Sequence, residues 1–112
     1  MTTIAAEREQ AFTSRNAANA ERITQEPASE AIVNEVHSAI SAVRNGLAMR
    51  KAHPSYGYTK ASIQSDLDRA TGLAQAVAVV SGLGCTSSSA TTVFDALGID
   101  FRAIRVALKA AK

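Results

Sequence analysis

Aromatic residues make up only 4% of this 112-residue chain, and tryptophan is absent. A core without large rings must be assembled from small aliphatic groups. Proline occurs twice and glycine six times, so breaks are few. Alanine is abundant, and its low side-chain entropy cost favours helix. One cysteine, Cys85, excludes an internal disulfide, and with the two isolated histidines, His37 and His53, it makes no familiar zinc spacing. No metal or other cofactor is expected. No run approaches the roughly 20 apolar residues of a membrane span, and residues 1–10 lack the apolar segment of a secretory leader. The expectation is therefore a cytoplasmic protein with no membrane partner. Charge of one sign is also scarce: the net charge is +2, which gives no argument from total charge for a nucleic-acid role.

What is present is globular. Hydrophobic residues make up 46% and charged residues 20%, proportions that support a packed core in a single domain of this length. Residues 5–24 have helix-forming composition, but the apolar anchors near them are only Ile4, Phe12 and Ile23. Residues 1–26 therefore read as an N-terminal arm, flexible or partly helical, ending at Pro27. Residues 27–112 read as one helical domain. Within it Ile32, Val36, Ile40, Val43 and Leu47 step by four, four, three and four, which places them on one helical face. Ser29 can cap this helix, or Pro27 and Ala28 can form its first turn. His53-Pro54 stops it.

Thr59 or Ser62 can cap a second long helix that runs to Gly82 or Gly84. Two such helices joined by a short turn are expected to lie antiparallel. The second one changes character along its length. Ile63, Leu67 and Ala70 form an ordinary apolar stripe, whereas residues 70–83 are apolar almost all round, interrupted only by Thr71, Gln75 and Ser81 among polar residues. Leu73, Val77, Val79, Val80 and Leu83 therefore need cover on several sides, from the rest of the domain or from another chain. They are the candidate dimer or partner interface. Two short helices follow, one with Val93, Phe94 and Leu97 on its apolar edge, the other capped by Asp100 with Phe101, Ile104 and Leu108 inside. The fold class is all-α: two long antiparallel helices plus two short C-terminal helices in a bundle that forms a homodimer.

Several constellations carry possible chemistry. Tyr56 and Tyr58 bracket Gly57 beside His53, Arg50 and Lys51, an aromatic and basic corner of the kind found at interface hot spots. Arg102, Arg105, Lys109 and Lys112 step by three, four and three on the last helix, forming a basic face that suits phosphates, an acidic partner or simply solvent. Residues 90–107 have partial helix-turn-helix spacing, with Gly98 in the turn and Ile99, Ile104 and Ala107 at packing positions, although Phe94 stands where a small residue is usual. Residues 90–112 are thus the alternative DNA-binding region, with Arg102, Arg105 and Lys109 on the helix offered to the groove. Catalytic readings are weaker. Asp66 and Asp68 diverge around a helix, and His37 with Ser41 lacks a third orienting group. Cys85 lies at a helix C-terminus, where no positive dipole end lowers its pKa.

The corner residues, the run Tyr58-x-x-Ala61-Ser62-Ile63 and the close Val79-Val80-Ser81-Gly82-Leu83-Gly84 resemble the small helical antiactivators of quorum sensing of the TraM type. The resemblance covers residues 29–84, and in size and character the whole chain is similar to antiactivators directed at a LuxR-type receptor. It implies an all-helical dimer, not an enzyme, that binds a LuxR-type transcription factor and silences it by disturbing its dimer or its DNA-binding form. In that picture Leu73, Val77, Val79, Val80 and Leu83 divide between self-association and receptor. The helices after Cys85 and the arm before Pro27 depart from the TraM pattern, which leaves the dimer arrangement and receptor-contacting surface open.

Overall fold

The computed structural model describes residues 3–53, 57, 59–84 and 88–111, with side-chain environments from Ser14 onward. Five helices account for most of them: α1 (Thr3–Gln25), α2 (Pro27–Ala52), α3 (Lys60–Val80), α4 (Ser89–Ala96) and α5 (Phe101–Ala110). No strand occurs among the described residues.

The first departure from the sequence reading is α1. Three long helices precede the short pair, because residues 3–25 form a continuous helix in place of a partly ordered arm. Its composition permits this, and its C-terminal end is tied to the body. Ile23 is buried and joins the core, and α1 packs against α4 and α2. The Arg22 guanidinium lies 3.6 Å from the position a Cβ would take at Gly82, so the end of α1 reaches over the end of α3.

A single extended residue, Glu26, separates α1 from α2, and its carboxylate accepts a hydrogen bond from the Ala28 N–H at 3.3 Å. Pro27 occupies the first helical position, where its missing N–H costs nothing. Ser29 is therefore inside the helix and does not cap it. Its hydroxyl is buried and donates to the Ile23 and Glu26 carbonyls, which pins the α1–α2 corner. Glu30 in the first turn and Arg50 and Lys51 in the last complement the helix dipole.

Thr59 caps α3, its Oγ1 accepting from the Ser62 N–H at 3.0 Å. α3 and α4 end in the same way. Gly82 at φ +72° lets the Leu83 N–H donate to the Ala78 carbonyl at 2.8 Å and its own N–H to Val79 at 3.2 Å; Gly98 at φ +73° does the same for Ile99 onto Phe94 (2.8 Å) and its own N–H onto Asp95 (3.1 Å). Each is a left-handed C-cap that satisfies carbonyls the helix leaves open and folds an apolar residue back onto the last turn.

The largest interface joins α2 and α3, and the next joins α3 and α4. Val36, Ala39, Ile40 and Val43 of α2 are buried, as are Ile63, Leu67, Ala70, Ala74, Val77 and Ala78 of α3. The alanines and the buried Gly46 keep the backbones close, so a core of small side chains still fills its space. Phe94 is the largest fully buried side chain, and its ring stacks on Phe101 with centroids 4.7 Å apart. Ile104 and Leu108 anchor α5 beneath.

Candidate functional site

The apolar residues of the second half of α3 find most of their cover inside the chain. Val77 is fully buried, and Leu73 and Leu83 are half-buried against the core. Val77 is closed off by the chain itself, and Leu73 and Leu83 keep part of their surface open. Val79 and Val80 are different, at 56% and 36% exposed. Of the five residues singled out there, one is buried, two are half-buried and two are exposed, and α4 returning against α3 supplies the second wall of cover. Tyr56 and Tyr58 lie outside the described residues.

The larger feature is at the other end of α3. An open groove of about 910 Å³ runs between the first half of α3 and α5. Its floor includes Leu67, Phe101 and Leu108, and Lys60, Arg102, Arg105 and Lys109 stand along it. These four cations face one carboxylate in the lining, Asp68, which accepts a hydrogen bond from Gln64 at 2.9 Å. Val106 also lines the groove and is 60% exposed, a branched aliphatic side chain left in water beside the charges.

The local sequence explains each position. Asp100 accepts from the Ala103 N–H at 3.0 Å and starts α5, and burial of Ile104 and Leu108 fixes its rotation. That rotation turns Arg102, Arg105, Val106 and Lys109 outward as one face. Phe101 is four residues before Arg105, and the guanidinium carbon sits 5.8 Å from the ring centroid, within cation–π range. Since Phe101 in turn stacks on the fully buried Phe94, the aromatic pair supports the cation from beneath. Lys60 Nζ lies 3.4 Å from the Lys109 carbonyl, placing a positive charge at the negative end of α5.

The sequence identified Arg102, Arg105 and Lys109 as a basic face but missed Lys60, Val106 and the role of Phe101. The Phe101–Arg105 spacing was a local signal. The joining of Lys60 to that face was not, since it depends on α5 packing beside α3, 49 residues away along the chain. The helix-turn-helix positions divide: Ile99 and Ile104 are buried, whereas Ala107 is exposed. The catalytic candidates do not converge. His37 and Ser41 are both exposed on α2, and Asp66 is half-buried while Asp68 is exposed. Burial, and then the neighbouring Asp100 carboxylate, push the Asp95 carboxyl above its ordinary value. Among the described residues no three of His, Cys, Asp and Glu gather as a metal site would require, and no helix is long and apolar enough to cross a membrane.

Compared with known proteins, the chain matches no family model, no curated protein and no solved structure.

Proposed function

We propose that this chain is a non-enzymatic regulatory protein that works by binding another protein through the α3–α5 groove. The observation that carries the reading is the pairing of exposed Val106 and the half-buried Phe101 ring with four cations along one open groove. An apolar strip bordered by charge of one sign is the composition of a protein-recognition surface, where burial supplies affinity and charge supplies selectivity. The partner implied by the resemblance to quorum-sensing antiactivators is a LuxR-type transcription factor. In this reading α2 and α3 form the antiparallel pair of that family, and Val79 and Val80 supply a homodimer contact at the opposite end of α3.

A second reading, DNA binding by α4 and α5, is favoured by the Gly98 turn, the Asp100 cap and the exposed Arg102, Arg105 and Lys109. The exposed Ala107 weighs against it, because the motif uses that position to hold the two helices together.

Affinity capture from an extract of the source cells, with and without nuclease and with gel-filtration light scattering of the isolated chain, separates the two. Nuclease-resistant recovery of one transcription regulator by a dimer supports the regulatory reading. Recovery of nucleic acid alone, lost on nuclease treatment and steeply weakened by salt, moves the function to α4 and α5.

A further inference from the structure

We infer that the α3–α5 groove takes a short acidic amphipathic helix of the partner protein. This rests on the protein-binding reading and names the chemistry of what the groove receives. The groove follows α3 from Lys60 to Thr71, a length of about 16 Å at 1.5 Å per residue. That accommodates roughly three helical turns, enough for apolar residues at positions i, i+4 and i+7 to reach the floor in the helix-in-groove mode. Val106, exposed on α5, and the half-buried Phe101 ring beside it offer the apolar contacts, while Leu67 and Leu108 beneath are already covered by the chain's own core.

The charges then choose the partner's sign. Arg102, Arg105 and Lys109 recur at steps of three and four along α5, so carboxylates at matching steps on an incoming helix meet them in register. Lys60 adds a cation from α3. Arg105 is already held over Phe101, so less side-chain freedom is lost when it pairs. A polyphosphate backbone fits the groove less well, because Val106 presents a methyl surface where a phosphate would need donors.

The test uses the full chain and a labelled helical peptide of about twelve residues, with leucines at i, i+4 and i+7 and glutamates between. Three competitors accompany it: the same composition scrambled so that the leucines no longer share a face, the lysine-for-glutamate version, and a duplex oligonucleotide. The expected result is saturable binding of the designed peptide, at least about tenfold tighter than either altered peptide. Arg105→Glu with Lys109→Glu is expected to weaken it at least about tenfold, and Val106→Asp by a similar factor. These side chains are exposed, so circular dichroism is expected to remain that of the parent, with only a small fall in the thermal transition from the lost Arg105–Phe101 contact and the acidic residues near the end of α5. Equal binding of the scrambled peptide, tighter binding of the duplex, or a change in oligomeric state of the variants in place of lost peptide binding overturns the inference. The same double variant in the extract capture keeps the two levels apart. Retention of a nuclease-resistant protein partner by the variant leaves the protein-binding reading standing and removes the acidic helix from this groove, whereas no protein recovered by the parent chain removes the reading itself.

Discussion

The two halves of α3 share one helix and have opposite fates. Its second half, residues 70–80, is the more hydrophobic, yet most of its apolar side chains are buried or half-buried where α2 and α4 pack on it, leaving Val79 and Val80 exposed. Its first half, residues 60–69, has an ordinary one-sided pattern, and it is this half whose outer side lines an open groove with α5. Local hydrophobicity therefore measures how much cover a segment needs, and not whether that cover comes from its own chain. The open groove lies where the pattern is unremarkable, since it is made by two helices that are far apart in sequence.

The largest expected effect sharpens this contrast directly. Val77→Asp puts a carboxylate into a fully buried site and is expected to cost more than about 4 kcal/mol, enough to abolish the cooperative thermal transition. Val79→Asp, two residues on and exposed, is expected to change stability by no more than about 0.5 kcal/mol. A Val77→Asp chain that melts like the parent would mean that the second half of α3 is covered by another molecule and not by α2 and α4.

Two glycines on or just beyond the same helix give the next comparison. Gly82 has φ +72° and lies under Arg22, so Gly82→Ala is expected to cost roughly 1–2 kcal/mol through left-handed strain. Gly72 is exposed mid-helix with nothing near the position of a Cβ, and Gly72→Ala is expected to stabilise by about 1 kcal/mol. Chemical denaturation of both variants reads the two signs. A destabilising Gly72→Ala would point to a close approach at that face which a single chain does not contain.

The smallest effect concerns pH. The folded chain holds the Asp95 proton more tightly than the unfolded chain, because burial and Asp100 raise its pKa. Its contribution to stability is therefore present in acid and is lost as pH rises through the folded value. Asp95→Asn is expected to raise the melting temperature modestly at neutral pH, with the difference closing below about pH 3, where the parent carboxyl is also protonated. A difference that grows in acid would reverse the sign of that shift.

Much of the helical layout was legible in the sequence. The stripe at Val36, Ile40 and Val43 is buried as its spacing required, with Ile32 and Leu47 at its partly covered ends. Thr59, Asp100, Gly82 and Gly98 all act as caps, because capping chemistry is local and residue-specific. The full helix of α1 was not legible. One apolar anchor, Ile23, and the contacts of Arg22 and Ser29 hold its end, and such contacts leave no periodic pattern. Of the groove, the sequence exposed the α5 side through the spacing of Arg102, Arg105 and Lys109. The α3 side was hidden, because nothing near Lys60 or Gln64 distinguishes those residues from any solvated helical position.

Chemical-shift mapping of the isotope-labelled chain with the acidic helical peptide locates the surface that binds it. Perturbed amides are expected along residues 60–71 and 101–109, with residues 76–83 unmoved. Perturbations concentrated around Val79 and Val80, with the α3–α5 groove silent, would contradict this expectation and return the binding surface to the apolar end of α3.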